Sequence, residues 1–173
     1  MSIERKLFMI SVMLFVCAIM ACSSKPGNDN AAAQVQPYSG EEEYSVARKA
    51  AQDASFAMMS IGTCLSHYCV NNAPQPDDEE RLAKMLNKIK DAEASRAIQG
   101  KAYKERLVIL HGFFKGQLDT FINRSKQYRE KLLASGSLDQ SVQDRVNGID
   151  RDIAALGDIM SAWPVAEWSC LVK

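Results

Sequence analysis

The chain has 173 residues, with 21 Lys and Arg against 21 Asp and Glu. That is enough chain for one domain, and its balanced charge offers no basic field for nucleic acid. Five cysteines and only two histidines make compartment and disulfide pairing the first questions, ahead of metal or acid–base chemistry.

Residues 1–22 set the context for the rest. Arg5 and Lys6 precede a continuous apolar run over residues 7–21, broken only by Ser11. Positive charge followed by a short apolar run is the pattern of an export signal. The run is about 15 residues, short of the roughly 20 that span a bilayer as a helix, so a cleaved signal is expected rather than a permanent anchor.

The run ends Ile19-Met20-Ala21-Cys22-Ser23. This resembles the lipobox of bacterial lipoproteins, in which a small residue precedes a cysteine that is diacylated on sulfur and becomes the first residue after cleavage. Ala21 and Cys22 match it. Cys17 follows the bulky Val16 and fits less well. The resemblance implies lipidation at Cys22, a membrane attached through that residue, and export to an oxidising compartment. Ser23, in place of an acidic residue, resembles the pattern of lipoproteins sent to the outer membrane and implies its periplasmic face. The expected organisation is a signal over residues 1–21, a lipidated cysteine and spacer over 22–38, and a folded domain over 39–173.

Removing the signal takes two basic residues and one acidic residue, leaving 19 Lys and Arg against 20 Asp and Glu. No later stretch is long and apolar enough to cross a membrane. Residues 23–38 are rich in Ser, Asn, Ala, Gln, Gly and Pro and have no hydrophobic period, which predicts a flexible spacer.

The first helix is predicted from Ser39, where Ser39 and Glu42 make a capping box and Glu41, Glu42 and Glu43 favour the helix start. Ala47, Ala50, Ala54, Met58, Ile61, Leu65 and Tyr68 form its apolar stripe. It should end near Val70, ahead of Asn71, Asn72 and Pro74. A second helix is predicted from Pro76 or Asp77 to Gly100, with Leu82, Met85, Leu86 and Ile89 on its face and a weaker stripe through Ala92, Ala94 and Ala97.

The third helix carries Tyr103, Leu107, Leu110, Phe114, Leu118, Phe121, Tyr128 and Leu132, and Gly136 ends it. Ser137 with Gln140 suggests a capping box for a fourth, with the seam Val142, Val146, Ile149, Ile153, Leu156, Met160 and Trp163 before Pro164. No segment alternates at period two. The expected fold is all-α, an antiparallel bundle of about four helices. The basic third helix and the acidic fourth should attract along their polar flanks, each pair contributing about 0–1 kcal/mol.

Once Cys22 is lipidated, the disulfide candidates are Cys64, Cys69 and Cys170, and one thiol is left over. In an up-down-up-down bundle, Cys69 and Cys170 lie at opposite ends, too far apart to bridge. Either Cys64 pairs with Cys69, which requires the first helix to unwind after Cys64, or an odd number of passes brings Cys170 to that end. The reading favours Cys64–Cys69. Cys170 is then free or bridges a second copy as a homodimer.

Cys64, His67 and Cys69 are types that hold zinc, but a structural site needs four ligands, so no metal is expected. No cofactor is expected either. Arg124 and Arg129 around Tyr128 could meet an anionic partner, and Trp168, beyond Pro164, could anchor an interface. No catalytic constellation is visible, so no enzyme is expected. The function expected is protein binding by a lipid-anchored bundle, as an assembly or targeting accessory of an envelope machine. It resembles the pilotins of secretion systems in build alone. The alternatives are an immunity-type inhibitor of a toxin or lytic enzyme, or a passive envelope spacer.

Overall fold

The computed structural model describes residues 35–136, 139–162 and 170. The signal, Cys22 and most of the spacer lie outside the described residues, as do Ser137, Trp163, Pro164 and Trp168. The chain divides into two compact units between Gln36 and Pro37, and the described helices belong to the second, residues 37–173.

The fold is an all-α bundle. Among the described residues five helices follow in order: α1 Glu41–Asn71, α2 Asp78–Ile89, α3 Ala92–Ala97, α4 Tyr103–Ala134 and α5 Gln140–Ser161. Among the described residues there is no strand, and no helix is long and apolar enough to cross a membrane.

Their starts and stops follow local chemistry. Before α1, the carboxylate at Glu43 accepts from both the backbone N–H and the hydroxyl of Ser39. The reciprocal residue is thus Glu43 rather than Glu42, and Gly40 takes the N-cap position. At the other end Asn72 adopts the left-handed conformation, φ 54°, and its N–H closes on the Tyr68 carbonyl, a turn that asparagine tolerates better than most residues. α5 starts on Asp139, whose side chain accepts from the Val142 N–H, so the cap is this aspartate and not Ser137. Gly100 and Gly136 both sit at φ 72°, where a side chain would be strained, and they end α3 and α4 as expected.

The predicted second helix is two helices. Lys90 turns left-handed at φ 51°, which costs a non-glycine residue about 1–2 kcal/mol. Asp91 offsets this by capping α3, accepting from Glu93 N–H at 3.0 Å and Ala94 N–H at 2.9 Å. Its second oxygen accepts from Gln117 of α4 at 3.1 Å.

This break decides the topology. α2 runs back along α1: Asp78 at its start meets His67, and Lys88 near its end stands over the Phe56 ring at 3.8 Å. α3 starts level with Gln117 and leads back to Tyr103, which lies 6.0 Å from Tyr68. α4 then runs antiparallel to α1 along its length, from Tyr103 beside Tyr68 to Tyr128 beside Tyr44. α5 returns parallel to α1, with Arg145 paired to Glu41 at 3.4 Å and Arg48 to Asp152 at 2.6 Å. Five passes, an odd number, return the chain to the end where α1 finishes.

Cys69 is accordingly bonded to Cys170, with Cα atoms 5.2 Å apart. The expected Cys64–Cys69 bridge is corrected. α1 continues as helix through both residues, where the rise alone separates the Cα atoms by about 7.5 Å, more than a disulfide spans. The leftover thiol is Cys64, not Cys170, and it is buried in the core at 1% exposure. That position gives it no surface from which to bridge a second copy.

The core runs through Met58, Ile61, Leu65, Leu82, Met85, Leu107, Leu110, Phe114, Leu118 and Ile149, all nearly or fully buried. Ala54 belongs to it, but Ala50 is exposed and Ala51 faces inward in its place. α1 carries more of the core than one stripe, because α2, α4 and α5 surround it.

Candidate functional site

Two clusters of aromatic and polar side chains mark opposite ends of α1. At the N-terminal end the chain arrives through Tyr38, which belongs to the core and not to the spacer: it is 1% exposed. Its ring meets Tyr44 edge-on at 5.3 Å, Phe121 at 5.9 Å and Tyr128 at 6.1 Å. Tyr44 stacks on Tyr128 at 5.5 Å. Such edge and offset pairs add about 0.5–1.5 kcal/mol each beyond burial. The Tyr38 hydroxyl donates to the Phe121 carbonyl at 3.4 Å, and burial pushes its pKa up.

Polar groups close this cluster. The Tyr44 hydroxyl donates to Asp152 at 2.9 Å, and the same carboxylate takes Arg48. Burial, then the bond to Asp152, raises the Tyr44 hydroxyl's pKa well above its ordinary range. Arg124 lies over the Tyr38 ring at 4.3 Å and pairs with Glu43.

Three of the four expected partner-binding residues are therefore engaged within the bundle. Arg124 joins the N-terminal segment to α4. Tyr128 is 6% exposed within the aromatic cluster. Arg129 pairs with Asp150 of α5 at 2.7 Å, the attraction expected between those helices. Trp168, the fourth, lies outside the described residues.

At the other end, the Cys69–Cys170 bridge ties the chain's C-terminal region to α1, and Lys104 of α4 donates to the Cys170 carbonyl at 3.3 Å. Beside it, Asp78 is a carboxylate at 1% exposure with both oxygens engaged. One contacts His67 Nδ1 at 2.8 Å, and the other accepts from the Gln75 N–H at 2.8 Å. A buried carboxylate needs such partners, since an unpaired one would be strongly destabilising. Glu79 pairs with Arg106 across α2 and α4.

Cys64 sits among these groups. Its Sγ lies 3.9 Å from the Asp78 carbonyl, and the Tyr103 hydroxyl faces it without making a hydrogen bond of ordinary geometry. Burial pushes the Cys64 thiol's pKa up, and the nearby Asp78 adds to this. Cysteine, histidine and aspartate thus meet, as nucleophilic catalysis would require. Their arrangement does not activate the thiol: the His67 contact goes to Asp78, and the surroundings favour the protonated form. Cys69 has its sulfur in the disulfide and cannot serve as a thiolate ligand. Among the described residues no group of three His, Cys, Asp or Glu is placed to hold a metal ion.

The sequence named Cys64, Cys69 and His67 together, and the structure does bring them to one end. It missed Asp78 and Tyr103, which complete the cluster. Asp78 read as one of four acidic residues at a helix start, and nothing in that pattern marks which of them turns inward. Of the exposed large apolar side chains, Met59 and Val70 share one face of α1, while Val46 and Leu133 stand apart.

No family model matches the chain, and no curated protein or solved structure matches it either.

Proposed function

We propose that this protein is a lipoprotein anchored to the outer membrane through Cys22, facing the periplasm, and that it works by binding another envelope protein as an assembly or targeting accessory. The observation that carries the reading is the sequence Ala21-Cys22 closing an apolar run with Arg5 and Lys6 ahead of it. Two acyl chains on such a cysteine give stable attachment where one would be marginal.

The bundle supports the same reading. Tyr38 pins the end of the spacer to the domain, so a tether at Cys22 would act on a fixed point of the fold. α1 then carries the chain about 46 Å onward to a disulfide-closed end, and a disulfide persists in an oxidising compartment. The clusters at both ends hold the bundle together, and its helix faces are the surface a partner would meet.

The test is cross-linked capture from detergent-solubilised envelopes, beside a Cys22→Ala variant. A stoichiometric envelope protein captured by the lipidated form and lost in the variant is the expected result. Equal capture of a soluble toxin or lytic enzyme by both forms would replace this reading with the inhibitor. Nothing captured by either form would leave a passive spacer as the better account.

A further inference from the structure

The disulfide runs against the order in which the cysteines appear in the chain. Cys69 is joined to Cys170 across 101 residues, while Cys64, five residues ahead of Cys69, is a buried free thiol. In an unfolded chain the preference is reversed. Closing a loop of five residues rather than a hundred raises the effective concentration on the order of 100-fold. Cys170 is also the last of the three to be synthesised. The first bridge an oxidant makes is therefore Cys64–Cys69.

That bridge has no place in the folded protein. Both residues lie within α1, too far apart along the helix axis for a disulfide. Forming it would unwind α1 after Cys64 and withdraw Cys64 from its place against Asp78 and Tyr103. The end of the bundle where Asp78 is 1% exposed could then not close.

We infer that the protein reaches its native bridge by thiol–disulfide exchange, in which Cys64 takes the first bond to Cys69 and then yields it to Cys170, with a dithiol disulfide isomerase as the catalysing partner. The Cys170 thiolate attacks Sγ of Cys69. The Cys69–Cys170 bond forms as the Cys64–Cys69 bond breaks, and Cys64 leaves as a thiolate that takes a proton from water. One disulfide is lost and one is made, so no oxidant or reductant is consumed. An isomerase reaches the same product through a mixed disulfide and recovers its own thiol. Folding then draws the exchange forward, because Cys64 is removed from solvent in the product. The protonated state favoured there makes it a poor nucleophile for the reverse attack. The exchange depends only on the chain; the isomerase rests on the proposed export to an oxidising compartment.

The experiment is oxidative refolding of the full chain carrying Cys17→Ser and Cys22→Ser, from the reduced, denatured state in glutathione disulfide. Samples are alkylated at intervals and mapped by peptide mass. The early species should have Cys64–Cys69 bridged and Cys170 alkylated. It should convert to Cys69–Cys170, with Cys64 alkylated only after unfolding. Once the Cys64–Cys69 species has formed and glutathione disulfide is removed, a catalytic amount of a reduced disulfide isomerase should speed the conversion several-fold, whereas Cys64→Ala should form Cys69–Cys170 in the oxidising step itself, with no earlier bridged species.

Appearance of Cys69–Cys170 with no earlier Cys64–Cys69 species would overturn the exchange. So would a Cys64–Cys69 species that the isomerase fails to convert to Cys69–Cys170. Should Cys64→Ala not fold, Cys64→Ser replaces it, and the wild-type mapping decides by itself. Recovery of the natural protein from cells with Cys69 and Cys170 both reduced would overturn the export reading and the isomerase with it, while leaving the refolding result intact.

Discussion

The two ends of α1 are held by different physics. At the N-terminal end, three aromatic rings pack around Tyr38, and the polar groups of Glu43, Arg48, Arg124 and Asp152 close over them. Nothing covalent is involved. At the far end, a disulfide joins Cys69 to Cys170 and a buried carboxylate, Asp78, ties α2 to α1 through His67. The first end relies on apolar area, which is insensitive to redox state and adds up over many weak contacts. The second relies on a few directional bonds, each of which can be removed singly. A domain built this way is expected to loosen at its far end under reduction and to keep its N-terminal end unchanged.

The largest expected effect separates the ends directly. Cys170→Ser, kept reduced so that Cys64–Cys69 cannot form, should lower the stability of the bundle by about 4–5 kcal/mol, because the bridge joins residues 101 apart in the unfolded chain. Denaturant unfolding of the wild type in a reductant should show the same loss and match the reduced variant. A reduced variant well below the reduced wild type would place the constraint elsewhere.

Tyr38→Ala should cost about 3 kcal/mol through the cavity left among Tyr44, Phe121 and Tyr128, with equal loss in oxidising and reducing buffer. Hydrogen exchange should then rise at the start of α1 and the end of α4, and stay unchanged around Asp78. An increase near Cys69 instead would mean the ends are coupled.

Asp78→Asn keeps the shape and removes the charge. It should cost about 2 kcal/mol, read as faster exchange of the Gln75 amide and looser docking of α2, with the N-terminal aromatic cluster unaffected.

The smallest effect is a pH dependence at the N-terminal end. The hydroxyl and backbone N–H of Ser39, together with Arg124, hold the Glu43 carboxyl below its ordinary value of 4.5. A group with a depressed folded pKa adds stability above its unfolded value and loses it as pH falls through the folded value. The stability difference between wild type and Glu43→Gln should therefore be constant near neutral pH and shrink below about 4.5. A difference that persists at lower pH would show that the charge of Glu43 is not what holds Ser39.

The helices themselves were legible because period is a local property. Met58, Ile61 and Leu65, or Leu107, Leu110, Phe114 and Leu118, repeat at steps of three and four and are all buried. The stops at Gly100 and Gly136 were equally readable, since a glycine after a periodic run is suited to the left-handed turn both adopt. The break at Lys90 was not. Lysine at φ 51° is against local preference, and it is compensated by Asp91, which caps α3 and reaches Gln117 twenty-six residues away. The local trace of it was Asp91 standing just before Ala92 and Glu93, an N-cap signature inside an otherwise fading stripe.

That one break changed the candidate site more than any other feature. With four passes Cys170 ends opposite Cys69; with five it arrives beside it. The two alternatives were open in the sequence, and the pairing followed from the count of passes, which no periodicity records.

By itself the sequence determined the helical class, the main helices and most of their ends, and the apolar faces, because each depends on residues within a turn or two of one another. It also carries the whole of the proposed tether, since an export signal is read as a linear string. Only the tertiary structure decided the extra pass at Lys90, the burial of Tyr38, the inward turn of Asp78 and the partner of Cys69. Each of these is a contact between segments distant in the chain, and its energy comes from packing that exists only once the helices have met.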